Sequence, residues 1–115
     1  MRNPRHSHPP LRDLGADGFN ESRQGVMMYG YTWDRDVSVI VDAEAIRTAF
    51  PKNNSAPKCV SFVERNLDAF RGLVNAKLNS GNTEDFGTDA RRSRGGYLVE
   101  IDLADLVRSR RWFAP

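Results

Sequence analysis

The chain has 115 residues, 39% of them hydrophobic and 28% charged, with a formal net charge of +2. This length fits one domain of about 100–150 residues and leaves no room for a second core. The composition is too apolar for a wholly disordered chain. No apolar run approaches the roughly 20 residues needed to cross a bilayer, so a membrane-spanning protein is excluded and no membrane partner is expected.

Positive charge is unevenly distributed along the chain. Between positions 13 and 90, twelve acidic residues outnumber eight basic ones. Most of the arginines fall in three short clusters, namely Arg2, Arg5 and Arg12; Arg91, Arg92 and Arg94; and Arg108, Arg110 and Arg111. Residues 13–90 are therefore mildly acidic, and the segments on either side of them are basic.

The first 18 residues combine prolines and glycines with scattered charge and show no hydrophobic period. Such a segment cannot bury enough apolar area to offset the loss of chain entropy on folding. We predict a disordered basic tail over residues 1–18 and a domain that begins at residue 19.

Two strand-forming segments follow. Residues 25–31 are rich in strand formers, and after a turn-like segment Val37, Val39 and Val41 alternate with Ser38 and Ile40. Because only a few residues join the two segments, the pattern predicts an antiparallel hairpin.

The centre of the chain has helical periodicity. Asp42 is placed to cap a short helix that ends before Pro51, and loop residues fill positions 51–57. Positions 59–80 then carry apolar residues at steps of three and four: Cys59, Phe62, Val63, Leu67, Phe70, Leu73, Val74 and Leu78. This stripe predicts one long amphipathic helix packed on a sheet.

Residues 82–96 are polar and lack a period, which predicts a mobile loop. A third strand is expected at 97–101 and a short helix at 102–107, with fraying beyond Arg108. The predicted domain thus spans residues 19–107, followed by a basic and aromatic tail over 108–115. Its class is α+β, with a small antiparallel sheet made of the hairpin and the C-terminal strand, and with the long helix and one or two short helices packed on it.

Few groups in the sequence point to metal, redox or cofactor chemistry. Cys59 is the only cysteine, so no internal disulfide forms and a reducing compartment, the cytoplasm, is expected. The only histidines, His6 and His8, lie far from Cys59 in sequence. We expect no metal site and no cofactor.

Catalytic candidates are equally sparse. Asp34 and Asp36 flank a turn where carboxylates usually bond their own backbone or face water. Cys59 lies in the apolar stripe and reads as a buried thiol, and Asn66 beside the stripe suggests a structural hydrogen bond to a sheet edge. No phosphate-binding glycine loop or nucleophile elbow is present. We therefore assign no catalytic residue, and the sequence leans against an enzyme without deciding the question.

Three segments resemble a bacterial family known as domain of unknown function 1488. The first runs from Glu21-Ser22-Arg23-Gln24-Gly25-Val26 through Asp34-Arg35-Asp36 to Val41-Asp42-Ala43-Glu44-Ala45-Ile46; the others are Phe62-Val63-Glu64-Arg65-Asn66-Leu67-Asp68 and Tyr97-Leu98-Val99-Glu100-Ile101. The similarity covers roughly residues 19–107 and departs from the family at the arginine-bearing insertion 82–96 and the basic end. It implies a small α+β fold with helices packed on an antiparallel sheet, and it implies no activity.

The arginine clusters are the remaining functional lead. The C-terminal cluster adjoins two aromatic residues, a combination suited to a solubilising tail, a peptide that docks on a partner, or an edge that folds back on the domain. By elimination the expected function is a non-catalytic binding or adaptor module with a protein partner. The alternative is a nucleic-acid-associated accessory protein that contacts phosphates and bases. The candidate binding residues are Arg91, Arg92, Arg94, Arg108, Arg110, Arg111 and Trp112. The sequence leaves the oligomeric state open.

Overall fold

The computed structural model of the protein describes residues 11–32, 35–80, 84–85 and 96–115. Its strands are β1 Arg12–Asn20, β2 Gly25–Tyr31, β3 Asp36–Asp42, β4 Glu84–Asp85 and β5 Gly96–Ile101. Its helices are α1 Ala43–Ala49, α2 Ala56–Arg65, α3 Leu67–Ser80 and α4 Leu103–Arg108, followed by a 3-10 turn at Arg110–Trp112. The predicted α+β class is confirmed.

The strands form one sheet in the order β1-β2-β3-β5-β4. β1 pairs antiparallel with β2, and β2 with β3, so the predicted hairpin is present. β5, in contrast, pairs parallel with β3. The sheet is therefore mixed, because the chain crosses the helical layer between β3 and β5 and returns in the same direction.

The prediction of a disordered tail over residues 1–18 is wrong from β1 onward. Leu11 and Leu14 are buried, and β1 is hydrogen-bonded to β2 as the edge of the sheet. The register shifts at two places along β1, near the left-handed residues Asp13 (φ 53°) and Gly18 (φ 100°). Such bulges interrupt the alternation of apolar and polar residues by which a strand is recognised. Residues 1–10 lie outside the described part of the chain.

The predicted long helix is two helices that meet at Asn66, the residue that ends α2. The backbone N–H of Asn66 bonds Val63 O, and the Asn66 side chain donates to Phe62 O. The apolar stripe continues across this break, since Phe62, Phe70 and Leu78 are all buried. The periodicity thus identified the buried face correctly and missed the break.

The core lies between the sheet and one layer of helices. Val26, Met28, Val39 and Val99 point from adjacent strands toward the helices and are completely buried. The shortest dimension of the molecule is 20 Å, the thickness of one sheet plus one helical layer at about 10 Å each.

Two predicted short helices are confirmed by their caps. Asp42 accepts a hydrogen bond from Ala45 N at the start of α1 (3.0 Å). Asp102 and Asp105 form a reciprocal capping box at the start of α4. In the predicted mobile loop, β4 and the first residue of β5 are described and the remaining positions lie outside the described residues. None of the described helices is long and apolar enough to cross a membrane.

Candidate functional site

The C-terminal residues 109–115, called here the C-terminal segment, fold back onto the helices. The N–H of Ser109 bonds Asp105 O as α4 ends, and the 3-10 turn that follows directs Phe113 inward. Phe113 is only 6% exposed. The predicted frayed tail beyond Arg108 is therefore wrong, and of the three readings of this end the structure adopts the folded-back one.

Phe113 completes a cluster of four aromatic rings. Its ring centroid lies 4.9 Å from that of Phe70, 5.7 Å from that of Phe50 and 5.8 Å from that of Phe62. These three partners come from α3, the end of α1 and α2, respectively. Aromatic contacts of this kind stabilise a core beyond their area burial, so the C-terminal segment joins three helices.

Asn66 holds the backbone of the same segment. Its Nδ2 donates to Ala114 O (3.0 Å), and its Oδ1 accepts from Ala114 N (2.7 Å). Asn66 is 5% exposed. The hydrogen bond expected from this residue to a sheet edge is instead a two-point contact with the C-terminal segment, made possible by the helix break that turns Asn66 toward it.

Arg110 fixes the segment to the end of α1. Its guanidinium donates to Ala49 O (2.7 Å), and its Cζ lies 5.8 Å from the centroid of the Phe50 ring. Ala49 is the last residue of α1, where backbone carbonyls lack partners within the helix. A cationic side chain at a helix C-terminus is favourable for this reason and through the helix dipole.

A groove of about 290 Å³ lies between the C-terminal segment and the end of α1. Its walls are mainly apolar side chains, and its two ionisable side chains, those of Lys52 and Arg110, are cations. The lining consists of Ala49, Phe50, Pro51, Lys52, Arg110, Phe113 and Pro115. The C-terminal segment thus builds one wall of an apolar groove, which we take as the candidate site.

The structure describes four of the seven predicted binding residues, and these four lie in different surroundings. Arg91, Arg92 and Arg94 lie outside the described residues. Arg108 pairs with Asp105 (2.8 Å), and Arg110 lines the groove. Arg111 and Trp112 are exposed, with Trp112 at 57% and placed beside the α2–α3 junction.

The buried carboxylate of Asp105 stabilises α4, the helix that leads into the C-terminal segment. The Asp105 side chain is 4% exposed and forms two salt bridges of 2.8 Å each, one with Lys77 of α3 and one with Arg108. The pKa of Asp102 is lowered, chiefly by the hydrogen bond from the Asp105 backbone and further by the nearby Lys77 and Arg108. These contacts fix the start and the orientation of α4 and so set where the C-terminal segment begins.

Among the described candidate catalytic groups, Cys59 and Asp36 lie on opposite sides of the sheet. Cys59 is fully buried, its Sγ donates to Asn53 O (3.4 Å), and burial raises the pKa of its thiol, so the reactive thiolate is disfavoured. Asp36 opens β3 and is paired with Tyr31, on the face of the sheet away from the helices. Asp34 lies outside the described residues, among which no cluster of three His, Cys, Asp or Glu side chains could hold a metal ion.

Sequence reasoning missed the groove and the role of Phe113. The available signal was a phenylalanine within an arginine-rich end, since an aromatic ring gains much from burial; the adjacent Trp112, which is exposed, gives the same signal. No family model, curated protein or solved structure matches the chain. The resemblance to the domain of unknown function 1488 family stays a prediction from the residues that carry it.

Proposed function

We propose that the protein is a non-catalytic binding module whose groove takes a short apolar and acidic segment of a protein partner. The observation that carries this proposal is the pairing of apolar walls, Phe50 and Phe113 among them, with two cations, Lys52 and Arg110. Apolar walls favour a hydrophobic anchor, and the cations favour carboxylates on either side of it.

The size of the groove suits a side chain better than a cofactor. Pockets for small molecules usually measure about 300–1,000 Å³, and this groove, at about 290 Å³, is slightly smaller. One large side chain with its adjacent backbone fits that space. Since the walls come from α1 and from the C-terminal segment, the groove depends on both being in place.

Arg110 contributes a fixed charge at this site. Its bond to Ala49 O and its position over Phe50 restrict the guanidinium, and a guanidinium has five N–H donors. The remaining donors are available for a bidentate contact with a partner carboxylate, which is stronger than a neutral hydrogen bond. Lys52 is exposed and adds a second, more flexible charge.

We further propose a bacterial origin and a cytoplasmic location, in line with the resemblance to the domain of unknown function 1488 family. A lone buried thiol supports the location, since proteins without disulfides are typical of reducing compartments. The family itself adds no activity to the proposal.

Binding of a labelled peptide tests the proposed function. The probe is a short synthetic peptide with one leucine between glutamates, followed by fluorescence anisotropy, and we expect a dissociation constant of about 10–100 µM. Lys52→Glu places a negative charge in the groove and should weaken binding about tenfold. The matched control is Lys58→Glu, the same change at an exposed lysine of α2. Equal affinities for the two variants, or no binding by the parent protein, would contradict the proposal.

Nucleic-acid binding is the second candidate, and one observation favours it. Arg111 and Trp112 are adjacent and exposed, so a guanidinium and an indole are available together for phosphate contact and base stacking. The test is the affinity for a single-stranded oligonucleotide at several salt concentrations. A steep loss of affinity with salt that becomes shallower in Arg111→Ala supports this candidate, and binding that is indifferent to salt removes it.

A further inference from the structure

The C-terminal segment has two sides with different contacts. Its residues Arg110, Phe113 and Pro115 line the groove. Ala114, between two of them, bonds Asn66 through both of its backbone groups. Phe113 has an extended backbone (φ −107°, ψ 140°), and neighbours along an extended chain face opposite sides. One side of the segment is therefore a wall of the groove, and the other side is where the segment is attached.

Asn66 is the point of this attachment, and it does not line the groove. Its Nδ2 donates to Phe62 O (2.9 Å) and to Ala114 O (3.0 Å), and its Oδ1 accepts from Ala114 N (2.7 Å). A side-chain amide offers two donors and an acceptor in one plane, whereas an ionised carboxylate of the same size lacks the donors. The amide of Asn66 therefore determines where Ala114 lies, and with it the lining residues on either side.

Arg110 connects the two walls of the groove. It belongs to the C-terminal segment, and its guanidinium donates to Ala49 O at the end of α1 (2.7 Å). Release of the segment would remove the Phe113 ring, Pro115 and one of the two cations from the groove together. The apolar wall opposite α1 and the fixed charge therefore exist only while the segment is docked.

Few contacts hold the segment, so it can open while the rest of the domain stays folded. Residues 109–115 form no strand ladder with the rest of the chain, and ordering each of them costs backbone entropy. That cost is offset by the packing of Phe113 and by the bonds of Asn66 and Arg110. A docked and a released form of the segment are therefore in equilibrium, and only the docked form has a complete groove.

We propose that Asn66 is a positioning residue for the groove, and that docking of the C-terminal segment and filling of the groove are one coupled equilibrium. The inference rests on the proposed function and adds to it the way in which the groove is controlled. A ligand that binds only the docked form shifts the segment toward that form. By reciprocity, a change that releases the segment weakens the ligand, because the apparent dissociation constant is the intrinsic one divided by the docked fraction.

Hydrogen exchange on the unmodified full chain tests the coupling. The probe is the peptide with one leucine between glutamates, added at about ten times its dissociation constant. Exchange at the Ala114 amide should then slow about tenfold, since a ligand that binds only the docked form stabilises it by the factor 1 + [L]/Kd. The control is the Arg23 amide, which is bonded to Asn20 Oδ1 in the exposed turn between β1 and β2. Its exchange requires no release of the segment and should not change.

A variant outside the groove tests the positioning role of Asn66. Asn66→Ala should bind the peptide at least about fivefold more weakly by fluorescence anisotropy, although no lining residue has changed. The matched control is Leu14→Ala, which removes a buried side chain of β1 that does not line the groove. Because that variant loses stability but keeps the segment docked, it should bind like the parent. A loss confined to Asn66→Ala therefore reports the position of the segment and not stability alone.

The outcomes separate this inference from the proposed function. If the parent protein does not bind the peptide, both are wrong. If the peptide binds but exchange at Ala114 is as fast with it as without it, the coupling is overturned and the binding module stands. Equal affinities of Asn66→Ala and the parent would likewise overturn the positioning role. Where Asn66→Ala does not fold, the exchange measurement on the unmodified protein decides.

Discussion

The two ends of the described chain are both built into the domain, but different forces hold them. β1 is attached by a ladder of backbone hydrogen bonds to β2, and it buries Leu11 and Leu14. The C-terminal segment has no ladder and depends on Phe113, Asn66 and Arg110. An attachment through backbone groups tolerates most substitutions, whereas one through three side chains is open to release by single changes.

The largest effect is expected for Phe113→Ala. The variant removes one of four packed rings and leaves a cavity among Phe50, Phe62 and Phe70. The free energy of unfolding in urea should fall by about 3–4 kcal/mol. Trp112→Ala is the control, since that neighbour is 57% exposed, and it should cost less than about 0.5 kcal/mol. Similar losses for the two variants would show that the C-terminal segment is peripheral.

A smaller loss of stability is expected for Leu14→Ala, which changes β1 at the other end of the described chain. Leu14 is 4% exposed beneath the helices, and removal of its side chain should lower the free energy of unfolding by about 2–3 kcal/mol. The β1 ladder persists, so amide exchange at Gly15 and Gly18, whose N–H groups point toward β2, should remain slow. The control is Glu21→Ala at the exposed turn between β1 and β2. Loss of protection along all of β1 would mean that Leu14, and not the ladder, holds the strand.

Asn66→Ala tests the polar half of the C-terminal attachment. The variant leaves Phe62 O and both backbone groups of Ala114 without their partner, which should cost about 1–3 kcal/mol. Hydrogen exchange at the Ala114 amide should accelerate more than exchange in α2. Asn54→Ala, at an exposed position of the loop before α2, is the matched control. Unchanged exchange at Ala114 would mean that Phe113 alone anchors the segment.

Much of the fold could be predicted from the local pattern of residues along the sequence. The alternation of Val37, Val39 and Val41 predicted β3, and the capping position of Asp42 predicted the start of α1. Both signals arise from residues within one element. The buried face of α2 and α3 followed from the same periodicity.

The features that were missed depend on contacts between distant residues. Asn66 and Ala114 are 48 positions apart, and Arg110 and Ala49 are 61 apart. A periodic pattern contains no information about such pairs, and the arginines around Phe113 favoured the reading of a solvated tail. The candidate groove could therefore not be predicted from the sequence, because one wall comes from α1 and the other from the C-terminal segment.

The smallest expected effect concerns Asp102, which starts the helix that leads into the C-terminal segment. Its pKa is lowered below the ordinary 3.8, chiefly by the backbone hydrogen bond from Asp105. A carboxylate whose folded pKa is depressed stabilises the protein above its unfolded pKa, and that contribution is lost as pH falls through the folded pKa. Asparagine is an equally good N-cap but does not titrate. Asp102→Asn should therefore lower stability at pH 7 by less than about 1 kcal/mol.

The contribution of Asp102 is visible in the pH dependence of stability. Below pH 3.8 the parent protein should lose stability more steeply than Asp102→Asn, as measured by urea unfolding at successive pH values. Asp68→Asn, at a side chain that is 99% exposed, should follow the parent curve. If Asp102→Asn follows it as well, the capping box does not fix α4 through its charge. The position of the C-terminal segment would then depend on Phe113 and Asn66 alone, which sharpens its contrast with the backbone-held β1.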